Sequence, residues 1–241
     1  MLDIAYEDQY IIAVHKRAGV ATQTAKVYEK DIVSHVSSYM MEQNGNASIG
    51  LINRLDQPVE GIVLFGKNKK TTSVLSQMLT EGKITKHYYA TVYLNKEDIE
   101  DSGKLVNYLL KDSKTNSSRI VDDKTTGAKR AVLEYKLFKV LNNNYLEFFA
   151  SEKSNIYLAD IHLITGRHHQ IRVQMSGAGM PLLGDVKYAN EDIVRLSKDM
   201  GIKNVALCAY SLAFLHPVTK EAINIEITPN GEWYKLFSDS I

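Results

Sequence analysis

Apolar residues fall into short runs along this chain, and the spacing within each run separates strands from helices. "QYIIAVH" (residues 9–15) is a continuous run of strand length, and residues 62–66, "IVLFG", repeat it. "DIVSHVSSYMMEQNG" (31–45) instead places Ile32, Val33, Val36 and Met40 on one side of a helix, with Gly45 near its end. "KKTTSVLSQMLTEGK" (69–83) spaces Val74, Leu75, Met78 and Leu79 helically and offers Gly82 as a C-terminal cap. Aromatic and branched residues alternate through "KHYYATVYL" (86–94), "RAVLEYKLFKV" (130–140), "NYLEFFA" (144–150) and "IYLADIHLI" (156–164), which predicts strands. Residues 111–130 are polar and turn-rich, an exposed loop or hairpin. "RHHQIRVQMSG" (167–177) reads as a helix that packs Ile171 and Met175. Strands return at 205–214 and 222–228, and Asn230 can cap a short closing helix, "GEWYKLFS". Strands and helices interleave without a regular strand–helix–strand rhythm. The pattern therefore predicts an α+β fold with a mixed, largely antiparallel central sheet and flanking helices.

No repeat, low-complexity segment or Pro/Gly/Ser linker divides the 241 residues, so a single domain over 1–241 is expected. An apolar fraction of 44% supports a sizeable core. The net charge of +1 points to no partner, but it conceals a local excess. Lys67, Lys69, Lys70, Lys83, Lys86 and Lys96 are opposed in their stretch by Glu81 alone; Glu97, Asp98, Glu100 and Asp101 follow directly. Such a patch is either a solvated face or a surface for phosphates. The lone Cys208 excludes an internal disulfide. The charged start "MLDIAYEDQYIIAVHK" is not a signal peptide, and "NVALCAYSLAFLHPV" is too short to span a bilayer. A soluble, cytoplasmic protein is the expectation.

Several familiar chemistries are missing. The sequence has no GxxxxGK[ST] phosphate loop, no GxGxxG after a strand, no HExxH or CxxC, and no GxSxG. His168 and His169 are adjacent, so their rings are expected to point apart rather than share a metal. Asp56 and Glu60 have the i, i+4 spacing of a carboxylate pair, which leaves a hydrolase as a distant alternative. Pro58 lies between them, however, and disfavours a shared helix face. A dispersed set remains: Arg54, Asp56, Lys86, Tyr88, Arg167 and Arg172. Each also has an ordinary reading as a turn, a packed strand residue or a solvated helix face.

Taken together, five blocks resemble the RluA-type pseudouridine synthases. They are "YEDQYIIAVHKRAGVAT" (6–22), "NRLDQPVEGIVLFGKN" (53–68), "KHYYATV" (86–92), "TGRHHQIRVQMSGAGMPLLGDVKY" (165–188) and "LCAYSLAFLHP" (207–217). The resemblance implies the pseudouridine synthase catalytic fold with a central RNA-binding cleft, and an isomerase that converts uridine in ribosomal or transfer RNA to pseudouridine. It implies no metal and no organic cofactor, RNA as the partner, no membrane, and action as a monomer. By motif, Asp56 is the catalytic aspartate, Arg172 the arginine that pairs with it, and Tyr88 the ring that packs against the base. Arg54, Lys67, Lys86 and Arg167 become candidates for binding the RNA substrate. No N-terminal S4-type domain is expected, because the blocks begin at Tyr6. The alternative is an RNA-binding or assembly factor with a degenerate site. This sequence departs from the family pattern at Asn53, at Val59-Glu60 in place of Thr-Ser, at Met180 and at Cys208. These departures leave the aspartate, the tyrosine and the motif arginines in place.

Overall fold

The computed structural model describes residues 2–24, 31–45, 48–95, 99–139, 155–231, 233, 234 and 237. In chain order its elements are β1 (Ile4–Glu7), β2 (Ile11–Lys16), α1 (Ile32–Asn44), β3 (Gly50–Leu51), β4 (Glu60–Gly66), α2 (Lys69–Thr80) and β5 (Thr85–Tyr93). There follow β6 (Ser102–Asp112), β7 (Ser117–Val121), β8 (Lys129–Lys139), β9 (Ile156–Leu163), α3 (Gln170–Gly177), α4 (Glu191–Asp199), β10 (Leu207–Leu215) and β11 (Ala222–Glu226). The α+β expectation holds. Two compact units are formed: Met1–Lys86 with Ala209–Pro229, and His87–Cys208 with Asn230–Ile241.

In the first unit β1, β2 and β4 run antiparallel in that order, β3 adds to β4, and β11 pairs with β10. Every residue of β2 and β4 is buried, as a run apolar on both faces requires. Ile11, Ala13, Ile62, Leu64, Leu75, Leu212 and Phe214 make one core cluster with Ile52, Ile84 and Ile225. Asp31 caps α1 through Ser34 N–H, and Asn68 caps α2 through Thr71 N–H. Gly45 and Gly82 both take a left-handed φ just past their helices. Gly61 has a stricter reason to be glycine. Its φ is +136°, and a Cβ there would meet the backbone nitrogen of Ala209 at 2.5 Å.

The second unit is an antiparallel sheet in the order β5-β9-β8-β6-β7. The polar stretch 111–130 resolves into the β6–β7 hairpin and the turn that leads into β8. Helix α3 packs Val173 against Leu109 and Ala131, with Tyr188 at the edge of that cluster. The strand expected at 144–150 lies outside the described residues, as does part of the closing segment. There the described bonds, Tyr234 N–H to Gly231 O and Phe237 N–H to Tyr234 O, are turn bonds. No helix among the described residues is long and apolar enough to cross a membrane.

Candidate active site

Asp56 sits on the loop that leads into β4. Pro58 and the residues around it form a turn closed by Val59 N–H donating to Asp56 O at 3.0 Å, and the chain then extends as a strand rather than a helix. Asp56 is half-buried, while its neighbours Leu55 and Val59 are buried and Arg54 and Gln57 are exposed. Asn53, the residue before the Arg-Leu-Asp triplet, bridges the two arms of this loop. Its amide donates to Ile62 O at 3.0 Å and its oxygen accepts from Leu64 N–H at 2.8 Å. These two bonds are what Asn53 contributes at a position where the chain departs from the family pattern.

The loop is fastened on both sides of Asp56. Thr22 Oγ1 donates to Leu55 O at 2.7 Å and accepts from Leu55 N–H at 3.2 Å. Beyond Asp56, Gln57 O accepts from Gly19 N–H at 2.9 Å and from Lys16 Nζ at 3.1 Å, and the Gln57 amide donates back to Gly19 O at 3.0 Å. Glu60 is 3% exposed and 2.7 Å from His15 Nε2. Its carboxylate is thus engaged inside the fold with a histidine, at the first position of β4. This is a poor placement for the second acid of a hydrolase.

The first unit treats its cations unequally. Arg54 is exposed and has no hydrogen-bond or ion-pair partner among the described residues. Lys67 is drawn inward: its Nζ lies 2.6 Å from Glu7 Oε1 and 2.6 Å from Asp8 O, with the side chain only 9% exposed. Lys69 and Lys70, at the start of α2, stay exposed. Lys86 is 7% exposed, and burial holds its amine below the ordinary lysine range. Its ammonium has no partner among the described residues. Tyr88, two residues on along β5, is also 7% exposed and faces the same side of the strand.

In the second unit Arg172 lies in the first turns of α3, where Gln170 to Met175 are all buried. Its Nε donates to Asp185 Oδ2 at 2.7 Å and its Nη2 to Asp185 Oδ1 at 2.8 Å, a two-pronged pair between side chains 6% and 1% exposed. Asp185 also accepts from the backbone of Lys187 and Tyr188, and the guanidinium lies 5.0 Å from the centre of the Tyr188 ring. The Tyr188 hydroxyl is 2.6 Å from His169 Nδ1 and accepts from Ser118 N–H at 2.9 Å. Arg167 is exposed; its Nε donates to Arg130 O at 2.9 Å and its backbone N–H to Gln170 Oε1.

The histidine doublet corrects the sequence expectation. The rings do not point apart: they stack with centroids 3.8 Å apart. His169 precedes α3 with φ +53°, ψ +26°, and this left-handed residue between loop and helix breaks the geometry on which the expectation rested. His168 is held by Ser118 and Asn116, so the pair ties the β6–β7 hairpin to the start of α3.

Comparison with known proteins completes the picture. A family model described as RNA pseudouridylate synthase matches residues 10–177, a span that contains Asp56, Tyr88 and Arg172. Ribosomal large subunit pseudouridine synthase C of Rickettsia felis is 31% identical over 219 residues, which cover 91% of this chain and 66% of that protein. The chain spans about three-fifths to two-thirds of the length of such Rickettsia relatives. tRNA pseudouridine synthase C of Vibrio vulnificus is 28% identical over 240 residues, covering 98% of this chain and 94% of that one. Among solved structures, human RNA pseudouridylate synthase domain containing 4 superposes with a TM-score of 0.73 at 18% identity, covering 97% and 90% of the two chains. On the strength of the family match over most of its length, the chain belongs to the RNA pseudouridylate synthase family.

Proposed function

We propose that this protein isomerises specific uridines in ribosomal or transfer RNA to pseudouridine. The observation that carries the reading is the family match across residues 10–177, within which Asp56 occupies a loop fastened on both flanks. The names of the relatives supply the RNA classes.

The reaction breaks the bond between uracil N1 and ribose C1′ and forms one between C5 and C1′. The C5 proton leaves, N1 gains a proton, and no redox step is involved. Asp56 is the catalytic group. Whether the first step is attack at C1′ or removal of the 2′ proton, it calls for an ionised carboxylate at the anomeric carbon. By the family motif, Arg172 is proposed as the second catalytic residue. Asp185 holds the guanidinium flat and oriented. The Tyr88 ring packs against the target base. A uridine in structured RNA must leave its stack to react. Arg54, exposed and without a partner among the described residues, then contacts the phosphate of the flipped nucleotide. Lys86, desolvated and without a counter-charge among the described residues, receives the anionic backbone next to it. Lys69 and Lys70 add diffuse attraction, and Arg167 is a further backbone contact. Lys67, tied to Glu7, serves the fold.

The test is a pseudouridine map, made by chemical labelling, of total RNA from cells with the gene, without it, or carrying Asp56→Asn. Loss of the same one or few sites in the deletion and the mutant is expected. An unchanged map together with retained RNA binding would leave a binding factor instead.

A further inference from the structure

Strand alternation turns His87 to the face of β5 opposite Tyr88, and that face carries a second group of chemically able side chains. Directly across from His87 on β9 is His162, and across from His162 on β8 is Glu134. Asp160, two residues before His162, lies on the same face of the sheet. The two imidazoles are nearly parallel, with 8° between their planes and centroids 5.0 Å apart. Each has a carboxylate at Nδ1: Asp160 Oδ1 is 3.3 Å from His87, and Glu134 Oε2 is 3.5 Å from His162. Lys104 Nζ donates to Glu134 Oε1 at 2.9 Å and extends the row onto β6. The side chains of His87, Asp160, His162 and Glu134 are between 29% and 45% exposed, so an ion in solution reaches them.

We propose that His87 and His162 form a binding site for a divalent transition ion such as zinc, which clamps β5 to β9 and takes no part in the isomerisation. A carboxylate accepts and does not donate, so the proton of each neutral ring sits on Nδ1 and the lone pair on Nε2. Metal-binding histidines use this arrangement, with the second ring nitrogen held by a carboxylate behind it. Stacking alone would account for two parallel rings, but not for a carboxylate at Nδ1 of each. The spacing also fits. Opposite residues of an antiparallel pair have Cβ atoms about 4.5–5.5 Å apart. At Zn–N distances of about 2.0–2.1 Å the two nitrogens on one tetrahedral ion are about 3.3 Å apart. The rings must lean together; the strands need not move. Water fills the remaining coordination positions. Imidazole nitrogen suits zinc, copper and nickel, whereas magnesium and calcium take oxygen ligands. Because Tyr88 is on the other face of β5, the ion braces the strand that presents Tyr88 without meeting the substrate. The binding site itself stands independently of the roles given to Asp56 and Tyr88.

The experiment titrates zinc, the metal alone as probe, into the untagged full chain after treatment with a chelator and its removal, with magnesium in excess throughout. Saturable binding is expected, with a Tm that climbs as zinc is raised. In nitrogen-15 spectra the Nε2 signals of His87 and His162 should shift while both Nδ1 atoms keep their protons. His87→Gln and His162→Gln should each lose the Tm response. His168→Gln, in the other stacked pair, should keep it. Asp160→Ala leaves both rings in place and should weaken zinc binding by about 10- to 100-fold. Each variant is shown to be folded by its metal-free Tm; should a Gln variant fail to fold, the wild-type spectrum decides. Absence of zinc binding by the wild type, a response kept in His87→Gln and His162→Gln, or zinc shifting other imidazoles instead would overturn the proposal. Undiminished affinity in Asp160→Ala would overturn the tautomer argument on which it stands. Pseudouridine formation is expected at the same rate with zinc or with chelator, and a rate lost on chelation would overturn the separation from catalysis.

Discussion

The Asp56 loop and the Arg172 helix present opposite charges by opposite means. Asp56 is fixed through its neighbours' peptides, by an ammonium, a hydroxyl and a glycine N–H spread over residues 16–22. Arg172 is fixed by its own head group, clamped by Asp185 and laid against Tyr188. In the first arrangement these bonds end on backbone, so removing them takes from the Asp56 carboxylate no partner that they supply. In the second, the charged head group is itself what is held, so removing its partner strands the charge. Function and stability should separate in the first unit and stay coupled in the second.

The largest test of that contrast is Asp185→Ala. It leaves the buried guanidinium without its two-pronged partner and should cost about 3–5 kcal/mol in unfolding free energy, read from denaturant midpoints. A loss below about 1 kcal/mol would show that the pair is not what holds Arg172. Next is Tyr188→Phe, which removes one hydroxyl from His169 and Ser118. About 1–2 kcal/mol should be lost, leaving Ser118 N–H without its acceptor. Hydrogen exchange at that amide should accelerate, and an unchanged rate would count against the network.

Lys86→Met is expected to reverse the sign. Burial holds the Lys86 amine below its unfolded value, so the charged form opposes folding. The unfolded chain binds more protons between the folded pKa and about 10.4, and wild-type stability should rise with pH across that window. The mutant should therefore have the higher Tm at neutral pH, by a margin that closes as pH climbs toward the ordinary lysine range. It should also bind RNA more weakly. A lower Tm for the mutant at neutral pH would mean that Lys86 stabilises the fold. The smallest effect belongs to Lys69→Ala and Lys70→Ala. Each should weaken RNA binding modestly and reduce the salt slope by about one, without altering Tm.

Local patterns in the sequence carry much of this architecture. β2 and β4 are continuous apolar runs, α1 and α2 have helical spacing with Asp31 and Asn68 as caps, and the strand periods of β5, β8 and β9 are plain. β6 is harder to read because its apolar residues, Leu105, Val106, Tyr108, Leu109 and Leu110, are bunched rather than alternating, and all but Leu109 are half-buried or exposed. α4 escapes for a different reason: its apolar residues are few and lie in a charged stretch. At the site, motif resemblance points to Asp56, Tyr88 and Arg172. It does not point to what supports them. Lys16 and Gln57 are 41 positions apart, His15 and Glu60 are 45, and nothing local in either stretch signals the other. One hint was available: a lysine closing the run "IIAVHK" is out of place unless its charge is satisfied inside. The stacked histidines were hidden because one left-handed residue, His169, resets the direction of its own side chain.

The central claim is that Asp56 carries the chemistry of uridine isomerisation. Its most direct test is single-turnover pseudouridine formation by purified wild type and Asp56→Asn on RNA from the deletion strain, with RNA binding measured in parallel. The account predicts binding within a few-fold of wild type and no pseudouridine above background in the mutant. Pseudouridine formed by Asp56→Asn at a rate near wild type would contradict it.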